Sequence, residues 1–135
     1  MVPSISRGFS RTLVVVAISV AITFSVHAQT PETHSEILVQ SSPLAGFKHY
    51  EGKALWAKMK EGDALSLIRE PDNIYDDNAI RVEWQGHMLG YVPRSENRVL
   101  AKQLDIGALL KARIIRLQKH RSPWKRLRFE VYVQL

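Results

Sequence analysis

Alternation of apolar and polar side chains is the main structural signal in this chain, and it predicts strands. Ile80, Val82 and Trp84 alternate with polar neighbours, which is the two-residue period of a half-buried strand. A polar turn centred on Gly86 follows, so residues 79–84 and 88–92 are predicted to form a hairpin. Weaker alternation predicts further strands at residues 64–69, 108–117 and 127–135.

Two segments have helical spacing. Residues 53–60 can form one or two helical turns, and Ser95 precedes a predicted capped helix that runs to Leu104 with Val99 and Leu100 facing inward. Short strands, one real helix and no β-α-β alternation predict a mainly β fold. The expected architecture is a small antiparallel OB-like barrel of about six strands, with the one short helix between strands.

The first residues have the pattern of an export signal. Arg7 and Arg11 precede an uncharged apolar run, and Val26-His27-Ala28 has the small-x-Ala form of a cleavage site. We therefore expect a signal peptide over residues 1–28, a flexible linker over 29–42 and a folded domain over 43–135. The location expected for the domain is periplasmic or secreted, and an uncleaved signal would instead anchor it to the membrane.

Composition is that of a globular domain, and it limits the possible chemistry. The chain has 135 residues, 24% of them charged, and no cysteine, which excludes disulfides, thiolate metal sites and cysteine nucleophiles. Removing residues 1–28 would remove two arginines and no acid, which leaves 17 − 13 = +4. The histidines lack paired ligand spacing and Asp72, Asp76 and Asp77 do not match an EF-hand, so we expect no metal and no cofactor.

One long motif identifies a family. Residues 67–82 read LIREPDNIYDDNAIRV, with AGFKHY at 45–50, LGYVPR at 89–94 and a matching helix at 97–107. In order and spacing these segments resemble the HIRAN domain, and the resemblance covers residues 43–135. It implies a modified OB-like barrel that binds DNA ends, found alone in bacteria and in SWI/SNF-class repair translocases. The resemblance also implies that this chain is not an enzyme, because hydrolase activity or zinc binding would belong to the helicase and RING parts of larger family members.

The resemblance assigns roles to two neighbouring loop residues. It implies that Tyr75 stacks on the terminal nucleotide and that Asp76 accepts a hydrogen bond from the free 3′-hydroxyl. The residues themselves also allow a purely structural role, with Tyr75 packed against the barrel rim and Asp76 capping the loop.

Three further residues complete the predicted nucleic-acid site. Lys48 and His49 stand where DNA-binding members carry arginine and tyrosine, and Arg94 is a candidate phosphate contact. The alternative for Lys48 and His49 is a solvated pair on a strand edge. Residues 106–129 add eight basic side chains, no acid, and Trp124, so this tract could either follow a nucleic-acid backbone or be a solvated face.

Two functions remain open from the sequence. The first is a monomeric module that binds single-stranded nucleic acid, with recognition of 3′ ends by stacking and hydroxyl capture. The second is an exported, non-catalytic interaction module that binds protein or an envelope polymer, because an exported protein does not meet replication forks.

Overall fold

The computed structural model describes residues 2–3 and 35–135. The predicted signal peptide over residues 1–28 therefore lies outside the described residues, apart from residues 2–3. In the part of the chain that is described, no helix is long and apolar enough to cross a bilayer.

Six antiparallel strands form one sheet, and the alternation predicted the five that lie within residues 64–135. Neighbouring strands pair in the order β1-β6-β5-β2-β3-β4. The strands are β1 Glu36–Pro43, β2 Ala64–Arg69, β3 Ile80–Trp84, β4 His87–Tyr91, β5 Leu110–Leu117 and β6 Leu127–Gln134. The predicted mainly β class is confirmed. The sheet does not close into a continuous barrel: a single bridge between Ala45, just after β1, and Tyr91 links its two ends.

The predicted linker is wrong from Glu36 onward. Residues 36–43 form β1, which pairs with β6 along its length with one irregularity between Leu38 and Gln40. Ser42, which falls in the predicted linker, lies opposite Phe129 and is fully buried. Its hydroxyl donates a hydrogen bond of 2.6 Å to Glu96, which satisfies a polar group inside the fold.

The helices lie close to the predicted positions, with three corrections. The first, α1, is only Gly52–Leu55, shorter than the predicted 53–60. The second, α2, spans Asn97–Asp105 and has no side-chain cap, so the predicted cap at Ser95 is wrong. Val99 is 60% exposed rather than inward, whereas Leu100 is buried. Two short 3₁₀ helices, Phe47–His49 and Pro123–Lys125, complete the fold.

The core lies between the inner faces of the strands, α2 and the first 3₁₀ helix. The predicted face of β3 is confirmed, because Ile80, Val82 and Trp84 are all buried. Trp84 also donates an indole hydrogen bond of 2.9 Å to Asp63. The core continues with these buried residues: Leu44, Phe47, Leu65, Leu89, Val92, Leu100, Ala112, Ile114, Leu127, Phe129 and Val131.

Candidate functional site

The loop between β2 and β3 is shaped by hydrogen bonds from its own side chains. The amide of Tyr75 donates to Asn73 Oδ1 at 2.9 Å, and the amide of Asn78 donates to Asp76 Oδ1 at 2.9 Å. Such Asx turns fix a tight loop without burying it. As a result the Tyr75 side chain is 78% exposed, so the alternative in which it packs against the barrel rim does not describe this structure.

A cleft of about 320 Å³ lies beside this loop, and we call it the tyrosine cleft. It brings together three of the five predicted site residues: Tyr75, Asp76 and Arg94. The side chains that line it are Ala45, Tyr50, Asn73, Tyr75, Asp76, Ala79, Tyr91, Val92 and Arg94. Lys48 and His49 are not among them; both are exposed on the first 3₁₀ helix.

Tyr50 and Tyr91 line the cleft, and the sequence analysis did not select either. Both stand in segments that carry the family resemblance, AGFKHY and LGYVPR, so the signal was present in the motifs. Their rings contact each other edge to face, with centroids 5.9 Å apart. Together with Tyr75 they give the cleft three aromatic rings, which is a surface suited to flat, π-rich ligands.

The position of Tyr91 is fixed by a polar network around Glu70. The Tyr91 hydroxyl donates to Glu70 Oε2 at 3.0 Å, and the Asn73 amide and the Arg81 guanidinium donate to the same carboxylate. Burial, followed by the hydrogen bond to Glu70, raises the pKa of Tyr91 from 10.0 to about 12. Tyr91 is therefore a neutral, positioned ring at neutral pH.

One wall of the cleft is formed by the backbone pairing of Ala45 with Tyr91. The amide of each residue donates to the carbonyl of the other at 2.9 Å. Gly90 permits this pairing: its φ is +155°, and a Cβ at this position would lie 2.1 Å from the Ala45 carbonyl oxygen. Only glycine lets the two segments approach this closely.

The side-chain amide of a buried asparagine holds Asp76 in place. Asn97, at the start of α2, is 1% exposed, and its side-chain amide donates to Asp76 Oδ2 at 2.7 Å. Asp76 therefore caps the loop through one oxygen and is anchored to α2 through the other. Each carboxylate oxygen can accept a second hydrogen bond, so the residue remains able to bind a ligand donor.

The basic tract forms a second cleft, of about 420 Å³, at the ends of β5 and β6. We call it the basic cleft; it is lined by Arg116, Gln118, His120, Trp124, Lys125 and Arg128. Arg113 of the same tract lies outside this cleft, 2.8 Å from Glu36 and above the ring of Tyr132. Within residues 35–135, no three His, Asp or Glu side chains are placed to hold a metal ion.

Two known sequences match more than half of this chain, each over a small part of its own length. The chain is 35% identical over 75 residues to a Fanconi-associated nuclease 1 homolog of Oryza sativa subsp. japonica. It is 30% identical over 91 residues to the SWI/SNF-related matrix-associated actin-dependent regulator of chromatin subfamily A member 3-like 1 of Arabidopsis thaliana. These matches cover 53% and 67% of this chain but only 7% and 10% of the relatives.

Two solved structures share the fold. A protein from Lactobacillus plantarum is 27% identical with a TM-score of 0.65, and the match covers 75% of this chain and 97% of that one. The HIRAN domain of human HLTF is 20% identical with a TM-score of 0.53, covering 73% of this chain and 77% of that domain. The model of the HIRAN domain matches residues 37–135, which includes nearly all of β1. The chain therefore belongs to the HIRAN domain family.

Proposed function

We propose that this protein is a non-catalytic module that binds the 3′ ends of single-stranded nucleic acid in the tyrosine cleft. The observation that carries the proposal is the convergence of exposed Tyr75, anchored Asp76 and Arg94 on one cleft with two further tyrosine rings. Its relatives include proteins named as a nuclease homolog and as a chromatin regulator, which supports a nucleic-acid ligand.

Stacking supplies the first part of the proposed binding. The ring of Tyr75 is 78% exposed and the loop that carries it is held by Asx turns. A loop whose backbone is already held in place loses little conformational entropy when a base stacks on the ring that it carries. Stacking of one base on an aromatic side chain contributes about 1 to 3 kcal/mol whatever the base, which suits binding without sequence preference.

The carboxylate favours an end over an internal position of the strand. An internal phosphodiester placed at Asp76 would meet a like charge, and the exposed Asp77 on the same loop adds a second negative charge. A terminal 3′-hydroxyl would instead donate a hydrogen bond to the Asp76 carboxylate, which Asn97 orients. Arg94 is exposed at the cleft and supplies a positive charge for the first phosphate.

The test is a titration of labelled oligonucleotides with free and blocked 3′ ends, at one stated salt concentration. We expect wild type to prefer the free end, Tyr75→Ala to bind both weakly, and Asp76→Asn to lose the preference. Ile74→Ala is the matched control, because Ile74 is 86% exposed on the same loop but does not line the cleft. Equal binding to both ends by wild type, unchanged in Tyr75→Ala, refutes end recognition.

We also propose that residues 1–28 act as an export signal, on the strength of the basic, apolar and small-x-Ala segments. Sequencing the N-terminus of the protein from exported fractions tests this. A chain that begins after Ala28 supports it, and a cytoplasmic chain that still begins at Met1 contradicts it. Export together with a failure to bind oligonucleotides would favour the alternative of an interaction module for protein or envelope polymer.

A further inference from the structure

The cations of the basic cleft lack acidic partners in the described part of the chain. Arg113, on the same strand, pairs with Glu36 and Glu130. By contrast, Arg116, Lys125 and Arg128 form no ion pair with any acid of residues 35–135. Like charges that share one cleft repel each other, so an anion bound between them is favoured.

The cleft also offers an aromatic surface. Trp124, on the second 3₁₀ helix, is 51% exposed and lines the cleft together with the cations. Basic side chains that surround an exposed ring are the combination that binds single strands, because the cations contact phosphates and the ring stacks on a base.

The strand register places the basic cleft near the tyrosine cleft on one face of the sheet. Pro43 of β1 pairs with Arg128 of β6, and Arg128 pairs with Arg116 of β5. Pro43 and Ala45 are partly exposed whereas Ser42 and Leu44 are buried, so Pro43 and Ala45 lie on the outer face. Ala45 lines the tyrosine cleft. Pro43 therefore lies on the outer face between Arg128 of the basic cleft and Ala45 of the tyrosine cleft.

The separation follows from sheet geometry. The two residues from Pro43 to Ala45 span about 7 Å of extended chain, and two strand spacings from β1 to β5 span about 10 Å. Ala45 and Arg116 are then roughly 12 Å apart on the diagonal. At 3.4 Å per nucleotide of a stacked strand, this distance corresponds to about four nucleotides.

We infer that the basic cleft binds backbone phosphates of the same strand whose 3′ end occupies the tyrosine cleft, about four nucleotides toward the 5′ side. This inference rests on the proposed function, and it adds a minimum ligand length and a direction. Arg116 and Arg128 contact phosphate, and the Trp124 ring stacks on a base at this second position.

The test compares dA oligonucleotides of about 3 and about 12 nucleotides, both with free 3′ ends, because only the longer stacked strand reaches both clefts. Binding of the shorter one is followed by NMR shifts around Tyr75. Each phosphate contact on a single strand contributes about 0.7 to the slope of log K against log salt, or about 5-fold at 0.1 M salt. The double variant Arg116→Gln/Arg128→Gln should therefore bind the long oligonucleotide about 25-fold more weakly, and the short one as wild type does.

Two controls separate this effect from a general loss of charge. Lys111→Gln removes an exposed cation of the same strand about 17 Å away from Arg116 and should leave both affinities unchanged. Replacing both arginines by lysine keeps the positive charges and should restore most of the binding.

The outcomes distinguish this inference from the proposed function. Wild-type affinity of the double variant for the long oligonucleotide, or an equal loss for both lengths, overturns the basic cleft as a second contact while end recognition stands. A 25-fold loss that is the same for free and blocked 3′ ends instead supports the basic cleft and refutes end recognition. Failure of wild type to bind the long oligonucleotide overturns both.

Discussion

The pairing of Ala45 with Tyr91 depends on a glycine, and Gly90→Ala tests this directly. A Cβ at position 90 would lie 2.1 Å from the Ala45 carbonyl oxygen, and that oxygen belongs to backbone that cannot rotate away. The variant must separate the two segments, which breaks two backbone hydrogen bonds of 2.9 Å. At about 1 kcal/mol each, their loss costs about 2 kcal/mol, in addition to the strain of alanine at a positive φ.

Gly86→Ala is the matched control for that strain. Gly86 also has a positive φ, +82°, but a Cβ there meets no atom within 4 Å. Alanine lowers the entropy of the unfolded chain equally in both variants, so this contribution cancels in the comparison. Gly90→Ala should therefore be about 2 kcal/mol less stable than Gly86→Ala, which follows from the two hydrogen bonds alone.

Urea denaturation measures this difference. With a slope of about 1 to 2 kcal/mol/M for a domain of this size, the midpoint of Gly90→Ala should lie about 1 to 2 M below that of Gly86→Ala. Gly90→Ala should also bind free 3′ ends more weakly, because the broken pairing forms a wall of the tyrosine cleft. Equal midpoints for the two variants would show that the backbone shifts without cost, and would refute the reasoning.

Three other predictions concern the same site. Tyr91→Phe should lose about 1 kcal/mol of stability at neutral pH, because the hydrogen bond to Glu70 is lost. The pKa of Tyr91 in the folded protein lies above its usual 10.0. The stability that the hydroxyl contributes should therefore be complete below pH 10 and disappear as the pH rises toward about 12. A stability difference between wild type and Tyr91→Phe that does not change with pH would contradict this. Asn97→Asp places a carboxylate against Asp76 and should lower the unfolding free energy by about 3 kcal/mol at neutral pH; urea denaturation measures this loss, and a variant as stable as wild type would contradict it. Tyr75→Ala should change the unfolding free energy by less than about 0.5 kcal/mol, since the ring is exposed; a larger loss in thermal melts would mean that the ring supports the fold.

Local patterns predicted most of the elements. Alternation identified β2, β3, β4, β5 and β6 to within a few residues, and the inner face of β3 was correct at all three positions. These signals are local: the two-residue period and the turn residues act over a few positions of the chain. Helical spacing is also a local signal, and it located α2. The prediction that Val99 faces inward was wrong.

The errors occurred where a distant segment determines the outcome. Residues 36–43 read as a polar linker, but β6 offers them a partner strand, and Glu96 satisfies the buried hydroxyl of Ser42. Sequence spacing cannot reveal either partner, because Glu96 lies 54 residues away. A polar residue is compatible with a strand whenever the fold supplies its hydrogen bond.

Local patterns along the chain were enough to predict β2 to β6, the turn-rich loop of Tyr75 and Asp76, and the family. The side chains that share the tyrosine cleft could be identified only from the folded chain, which brings Arg94, Tyr50 and Tyr91 to that loop and leaves out Lys48 and His49. The physical reason is that a backbone period fixes which face a side chain takes. Which faces meet depends on strand pairing between residues far apart in the chain.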